Sequence, residues 1–431
     1  MKGLLFNIIL LFLIQNSFGQ DIIIKGYVLD KSTNSPLIYT NITIKGFPIG
    51  VSTNEMGEFS FHIPVKNNND TLSISAIGYK SYECIISDIT RTDSLVVLLE
   101  EQKYELDNVI ILPVEELKEI IRNVTDNIKR NYPKRRYLLN GFYRELVLKD
   151  NEYTRLIEAA IEIQKKGINN PLEDLLRINE LRKSNSFVEY DWKSKLFKII
   201  HGERNQLYNL ISKDIINYHD QTFTTKNILT EEFVANYDFI LDDIKLEDSV
   251  KIYKIRFFDK KYYNEYEGDF SAIGNHWIYV RENNFAVTKY EYKYQIVKMS
   301  DRYKTVNFED NCIRSHSVSY KEYQGKYYPY LFEATSVIMA KGADENTGKG
   351  KQYMKTSLLI NNILTRRNEY DKIKEKFSSP RDVDLYHQEY KYNPEFWESY
   401  NMLKLNPVYT QVKNDLEEEA TLEEQFKKNG K

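Results

Sequence analysis

Hydrophobic and polar positions alternate with a period of two between residues 20 and 113. Turn-forming residues interrupt the alternation at short intervals, which is typical of an all-β sandwich. Thr53–Gly57 predicts a hairpin turn, because Gly57 can adopt a positive φ without steric cost. We expect about seven strands, within Ile22–Asp30, Asn41–Lys45, Phe59–Ile63, Asp70–Ile77, Tyr82–Ile86, Leu95–Leu99 and Val109–Leu112.

Several short motifs in this region occur in a characteristic order. They are Gly26-x-Val28-x-Asp30, Pro36-Leu37, Asn41–Ile44, Thr53–Phe61, Ile77-Gly78-Tyr79 and Leu106–Ile110. This order resembles the carboxypeptidase-regulatory-like domain of Bacteroidetes-type envelope proteins, a module that also precedes many TonB-dependent outer-membrane receptors. The resemblance implies a transthyretin-like sandwich that serves as an accessory and carries no catalysis.

The histidines argue against zinc carboxypeptidase chemistry. Such a site needs His-x-x-Glu and a distant His, so that one turn of chain places imidazole and carboxylate on the same metal. No histidine of this chain is followed three residues later by Glu, and His-Glu-x-x-His is absent too. The histidines tested are His62, His201, His219, His276, His316 and His387.

At Val114 the hydrophobic period changes to three and four, which predicts a connecting amphipathic helix over residues 114–133 that ends at Pro133. The basic tract Lys134–Arg136 follows; it is either a contact for an anionic ligand or, as we favour, a solvated cluster near the helix end. Strand character then resumes at Tyr137. Arg144 and Glu145 are adjacent on this strand and point to opposite faces, so we expect structural roles and no direct pair between them.

Residues 134–410 are predicted to form an α+β domain with a helical insertion near residues 165–220. Leu172–Ile178 and Trp192–Ile216 carry apolar residues at helical spacing. This insertion is a lid, a helix that plugs an open sheet or a plain packing layer.

A long antiparallel sheet is predicted downstream. Gly274–Val287 is similar to a hairpin of periplasmic half-barrel proteins of the lipoprotein-carrier type, in which a sheet covers an apolar cleft. A cleft beneath Phe257–Tyr294 is therefore a hypothesis, suited to an acyl chain or a peptide. The expected strands lie in Tyr237–Asp242, Val250–Phe257, Trp277–Val280, Ala286–Tyr294, Ile313–Tyr323, Tyr328–Ile338 and Ser357–Leu364, with a hairpin turn at Arg281–Asn284.

The end of the chain contains an aromatic anchor and a charged segment. Phe396 and Trp397 are expected to pack on the sheet, and residues 411–431 to form a charged C-terminal tail with a fraying helix. The string Asn393–Asn401 resembles the end of the same Bacteroidetes-type envelope proteins. The fold class is therefore mainly β with helical insertions: a seven-stranded sandwich, then an α+β region whose long antiparallel sheet allows a half-barrel.

The first residues predict export. Lys2, an apolar run from Leu4 to Ile14 and the small residue Gly19 form the pattern of a signal peptide over residues 1–19. The apolar run is too short for a membrane span, so we expect cleavage near Gly19-Gln20 and a mature chain without a transmembrane helix. The expected location is the periplasm or the periphery of the outer membrane.

Composition limits the classes of molecule that this chain could bind. A net charge of −3 offers no basic surface for nucleic acid. Cys84 and Cys312 fall in different predicted domains, so we expect two buried thiols, although a bridge across the domain boundary is the alternative. The 34 tyrosines reflect either a binding surface or, as we favour, an A+T-rich genome.

No catalytic, cofactor-binding or metal-binding residue can be named from the sequence. Asp344–Asn346 lack the spacing of a calcium loop, Gly348–Gly350 is not a phosphate loop, and a serine-hydrolase elbow is missing. The favoured function is a non-enzymatic exported envelope protein, a sandwich adaptor plus a β-rich domain that binds a partner protein, a peptide or a lipid. The alternatives are a component of an outer-membrane receptor or transport system, and an unrecognised hydrolase.

Overall fold

The computed structural model describes most of the chain downstream of the predicted signal peptide. The residues described are 21–89, 94–102, 112–150, 152–168, 174–188, 206–217, 229–259, 264–266, 270–298, 312–338, 352–370, 377–404 and 408–430. The predicted signal peptide, its cleavage point and the polar loop at 342–351 lie outside these residues, as does most of the predicted strand Val109–Leu112.

The N-terminal region is a β-sandwich, as the period-two pattern predicts. Its strands are β1 (Ile22–Asp30), β2 (Asn41–Ile44), β3 (Gly50–Ser52), β4 (Glu58–Ile63), β5 (Thr71–Ser75), β6 (Tyr82–Ile85) and β7 (Leu95–Leu99). One sheet has the order β4-β1-β7 and the other β3-β2-β5-β6. The alternating residues Ile42, Ile44, Phe59, Phe61 and Ile63 are fully buried between the two sheets.

The predicted hairpin at Thr53–Gly57 is wrong in its pairing. Gly57 does take a positive φ of 71°, and a Cβ there would lie 2.5 Å from the carbonyl oxygen of Val28. However, β3 pairs with β2 and β4 pairs with β1, so the turn carries the chain from one sheet to the other.

The rest of the strands form one open antiparallel sheet. Its strands are β8 (Tyr137–Lys149), β9 (Glu152–Lys165), β10 (Leu175–Lys183), β11 (Tyr237–Glu247), β12 (Val250–Asp259), β13 (Asn264–Tyr266), β14 (Phe270–Arg281), β15 (Val287–Lys298), β16 (Cys312–Tyr323), β17 (Lys326–Ile338) and β18 (Gln352–Leu364). The order is β10-β9-β8-β18-β17-β16-β15-β14-β12-β11, and β13 pairs with β14 beside this path. The predicted downstream strands and the turn at Arg281–Asn284 are confirmed.

Helices cover this sheet. They are α1 (Val114–Asn131), α2 (Gln206–Ile211), α3 (Glu231–Asn236), α4 (Arg367–Tyr370), α5 (Pro394–Ser399), α6 (Val408–Leu416) and α7 (Leu422–Asn429), with 3-10 turns at Val65–Asn67, Ile86–Asp88 and Pro380–Asp382. The face covered by α1 is called the inner face here, and the opposite one the outer face. On the inner face α1 buries Leu117, Ile121, Val124 and Ile128, so the predicted connecting helix is part of the main core.

The sandwich packs on the outer face. Phe142 of β8, Leu331 of β17 and Leu359 of β18 belong to the same hydrophobic cluster as Ile42 and Phe59 of the sandwich. Trp397 of α5 joins that cluster, so the predicted aromatic anchor is confirmed. Sandwich and sheet therefore share one core.

One prediction near the sheet edge is wrong, and a second is confirmed in part. Leu175–Ile178 lie in β10 and not in a helix, and the strand has a bulge between Ile178 and Glu180. Leu176 and Leu181 are buried on either side of that bulge. Of the second predicted helix, Gln206–Ile211 is helical, and residues 189–205 lie outside the described part.

The charged C-terminal segment is also docked, which corrects the expected fraying tail. Val412 and Leu416 of α6 and Phe426 of α7 are buried against β9 and β10. The helix α7 begins with a capping box, in which Thr421 and Glu424 satisfy each other's backbone N–H groups.

Candidate ligand-binding face of the large sheet

A row of ring side chains crosses four neighbouring strands on the inner face. The register pairs Phe257 of β12 with His276 of β14, His276 with Tyr292 of β15, and Tyr292 with His316 of β16. Because directly opposed residues point to the same face of a sheet, these four rings lie side by side. Their centroids are 4.8, 4.8 and 4.9 Å apart in that order. We call Phe257, His276, Tyr292 and His316 the aromatic row.

Gly274 makes room for the centre of the row. It lies two residues before His276 on β14 and therefore on the same face. A Cβ at this position would lie 3.0 Å from the ring of Tyr292 and 3.2 Å from its hydroxyl oxygen. The glycine thus lets the Tyr292 ring lie flat over the strand.

The first end of the row is closed by the chain itself. Phe257 contacts Phe233 of α3 at 5.2 Å and Tyr237 at 6.0 Å between ring centroids, and it is fully buried. Tyr292, at the centre, is only partly buried. The hypothesis of an apolar cleft beneath Phe257–Tyr294 is therefore not supported at Phe257, where side chains fill the space, and any ligand would meet the row from Tyr292 onward.

Both histidines of the row are held neutral by burial. Burial lowers the pKa of His276 to about 3, and its Nδ1 lies 2.8 Å from the hydroxyl oxygen of Tyr290. Burial also lowers the pKa of His316 well below its ordinary value, with further contributions from Lys213, His276 and Arg314. The Nδ1 of His316 is buried and has no hydrogen-bond partner within the described part of the chain. An orphaned buried ring nitrogen is costly, because its desolvation is not compensated.

Positive charge gathers beside His316. Lys213 follows α2, and its pKa is lowered by burial and by Arg314, which lies two residues before His316 on β16. Among the described residues no carboxylate pairs with Lys213. A partly buried cation without a counter-ion among these residues favours an anion from outside the chain.

The arrangement is therefore suited to binding an acidic group next to apolar rings. The aromatic row offers an apolar surface, Lys213 offers a positive charge, and His316 offers a ring nitrogen to which no described residue is hydrogen-bonded. Within the described ranges no group of three or more His, Cys, Asp or Glu side chains is placed to hold a metal ion. No described helix is long and apolar enough to cross a bilayer.

Residues singled out in the sequence have mostly structural positions. Arg144 forms an ion pair with Glu158 at 2.7 Å, and Glu145 forms one with Arg155 at 2.5 Å. This confirms the prediction that Arg144 and Glu145 do not pair with each other. Cys84 is a free thiol, as expected, but it is half-buried and not buried.

The remaining candidates are also accounted for. The basic tract Lys134–Arg136 is exposed. His387 is exposed and pairs with Asp384 at 2.6 Å. The sequence suggested a cleft beneath Phe257–Tyr294 but singled out no individual residue of the aromatic row. The signals for it were the unit that starts at Gly274 and the aromatic residues that alternate at Tyr290 and Tyr292.

Comparisons with solved structures give distant similarity. The chain is similar to a DUF1329 family protein from Desulfovibrio piger, with 9% identity and a TM-score of 0.24 over 61% of this chain and 97% of that chain. It is also similar to a LolA superfamily protein from Nitrosomonas europaea, with 12% identity and a TM-score of 0.22 over 62% of this chain and 98% of that one. At these TM-scores the likeness carries no argument.

Sequence comparison identifies the N-terminal domain only. The search of curated proteins found no match. The family model described as the CarboxypepD_reg-like domain matches residues 24–111, which confirms the domain expected at the N-terminus.

Proposed function

We propose that this chain is an exported, non-enzymatic cell-envelope protein whose large sheet binds a lipid with an acidic head group. The acidic head would lie between Lys213 and His316, and the acyl chain would follow the aromatic row from Tyr292. One observation carries the proposal: among the described residues, the buried Nδ1 of His316 has no hydrogen-bond partner and the nearby, partly buried Lys213 has no carboxylate partner.

Two further features support it. The aromatic row supplies the apolar contact that an acyl chain needs, at roughly 0.8 kcal/mol for each buried CH₂ group. The matched N-terminal domain is an accessory module, so its presence favours a binding protein over an enzyme. The predicted signal peptide is the basis for placing the protein in the periplasm or at the periphery of the outer membrane.

Oleate binding to the full chain tests the proposal. Native mass spectrometry and the intrinsic tyrosine fluorescence would report binding. We expect the change Lys213→Gln to weaken oleate binding about tenfold, because a hydrogen bond to a charged group contributes roughly 1.5–3 kcal/mol. Lys129→Gln removes an exposed lysine of α1 and is the matched control.

A neutral amphiphile separates head-group recognition from apolar contact. Oleyl alcohol should bind the wild type and Lys213→Gln equally, since it has no charge to lose. Equal oleate binding by the wild type and Lys213→Gln would contradict the proposed head-group site, and no oleate binding by the wild type would contradict the function. Cell fractionation tests the location: recovery only with detergent would contradict a peripheral or periplasmic protein.

A further inference from the structure

A cavity lies where the sandwich, the large sheet and the C-terminal segment meet. Its volume is about 390 Å³. The sandwich contributes β1 and β4, the sheet contributes β8 and β10, and α5 and the segment after it close the side. We call it the junction cavity.

Cationic side chains dominate this lining. Lys25, Arg144, Arg182 and Lys404 face one acidic residue, Glu398. His62 adds no charge at neutral pH, because burial lowers the pKa of its ring. The cavity therefore has an excess of positive charge although the whole chain is slightly acidic.

The single negative charge of Glu158 does not neutralise the two positive charges of Arg144 and Arg182. Glu158 is fully buried and accepts from the Nε of Arg144 at 2.7 Å and from the Nε of Arg182 at 2.6 Å. Two guanidinium groups on one carboxylate leave one positive charge unmatched. Burying such a charge is unfavourable unless an anion is near.

The two terminal nitrogens of Arg144 donate no hydrogen bond to a described residue. Its side chain is 6% exposed, and only its Nε is hydrogen-bonded to a residue of the described part. It also lines a neighbouring cavity of about 180 Å³ that contains Lys355 and Lys404. Arginine donors in a fork suit the oxygens of a phosphate group, and nearby lysines add point charges.

We propose that the junction cavity binds a phosphate group, either as a free phosphate ester or as the head group of a phospholipid. Sandwich, sheet and C-terminal segment each supply part of the lining. Bound phosphate would therefore join the sandwich to the sheet and stabilise the folded chain.

Thermal unfolding of the full chain tests this site. We expect inorganic phosphate to raise the Tm of the wild type above the Tm in chloride at matched ionic strength. In Lys25→Gln/Lys404→Gln the phosphate concentration needed for half of the shift should rise at least fivefold. This double variant leaves the buried Arg144–Glu158–Arg182 cluster intact, so it should fold.

Lys66→Gln/Lys129→Gln is the matched control, because it removes two exposed lysines that do not line the cavity. It should keep the full shift. The proposal is overturned if phosphate does not raise the Tm of the wild type, or if the Lys25/Lys404 variant responds as the wild type does.

Vesicles identify the source of the phosphate. Co-sedimentation with phosphatidylglycerol vesicles, but not in the Lys25/Lys404 variant, would assign the site to a lipid head group. A phosphate-dependent Tm shift without co-sedimentation would assign it to a free phosphate ester. Lys213→Gln should retain the phosphate-dependent rise in Tm, and the Lys25/Lys404 variant should retain oleate binding. The proposed oleate site and the proposed phosphate site can therefore be contradicted independently of each other.

Discussion

The side chain of Asn401 pairs with the backbone of His62 as a neighbouring strand would. Its Oδ1 accepts from the N–H of His62 at 2.8 Å, and its Nδ2 donates to the carbonyl oxygen of His62 at 3.0 Å. His62 lies on β4, an edge strand of its sheet. The backbone oxygen of Asn401 in turn accepts from Asn361 of β18 at 2.7 Å. One residue of the C-terminal segment thus links the sandwich to the large sheet and covers a strand edge.

We expect Asn401→Ala to lower the free energy of unfolding by about 1–3 kcal/mol, because two backbone groups lose their partners. Urea unfolding followed by circular dichroism would measure this. Asn123→Ala is the control, since Asn123 lies in α1 and its side chain makes no hydrogen bond within the described residues. Equal losses in both variants would show that the pairing with His62 contributes nothing specific.

The shared core predicts that the sheet depends on the sandwich. Removing residues 21–102 would expose Phe142, Leu331 and Leu359, which are at most 1% exposed in the full chain. We expect the shortened protein to bind a hydrophobic dye and to aggregate, because a contiguous apolar patch is left open. Dye fluorescence and size-exclusion chromatography would measure this. A monomeric shortened chain that binds no dye would show instead that the sandwich is a separable accessory.

The buried carboxylate of Glu158 predicts a large loss of stability on removal. The two guanidinium groups, Arg182 and Arg144, hold its pKa below the ordinary value, although burial alone would raise it. We expect Glu158→Ala to lower the free energy of unfolding by about 3–5 kcal/mol, because it leaves the buried Arg144 and the partly buried Arg182 without their carboxylate partner. Chemical denaturation would measure the loss. Glu423→Ala breaks an exposed pair with Lys427 and should leave the midpoint unchanged; similar effects in both variants would contradict a special role for burial.

The sequence predicts the strands, which depend on local periodicity, but it does not predict which distant strands pair with each other. The alternation at Ile42 and Ile44 depends only on the period of a strand, so the sandwich strands are predictable. The partner of β3 is not, because the turn at Gly57 fits a hairpin as well as a crossing between sheets. The candidate site depends on the register that places His276 beside Tyr292 and Tyr292 beside His316, and such a register cannot be deduced from one strand.

Glu333 predicts a pH dependence of stability. It lies on β17 in the small cavity between sheet and sandwich, where burial raises the pKa of its carboxyl to about 7; the groups that face it are Tyr39, Lys289, Glu55 and Ser317. The ordinary pKa is 4.5, so between about pH 4.5 and 7 the folded state holds a proton that the unfolded state has lost. The contribution of this group therefore falls as pH rises through that window and stays low above it.

We expect Glu333→Gln, which resembles the protonated form, to match the wild type at pH 5 and to exceed its free energy of unfolding at pH 8. The expected difference is about 1–3 kcal/mol, discounted for partial exposure to solvent. Urea unfolding at the two pH values would measure it. The same difference at both pH values would mean that Glu333 does not titrate in this range.

The close approach of Gly274 and Tyr292 predicts a coupling that can be measured. In Gly274→Ala the new methyl group would lie 3.0 Å from the Tyr292 ring, so the ring must move away from the strand and from its neighbours His276 and His316. We expect weaker oleate binding, because the displaced ring no longer continues the aromatic row beside His316. In a Tyr292→Ala background the methyl group meets no ring, and Gly274→Ala should have no further effect. A double-mutant cycle on oleate affinity measures this coupling, and additive effects of the two changes would contradict a shared position of glycine and ring.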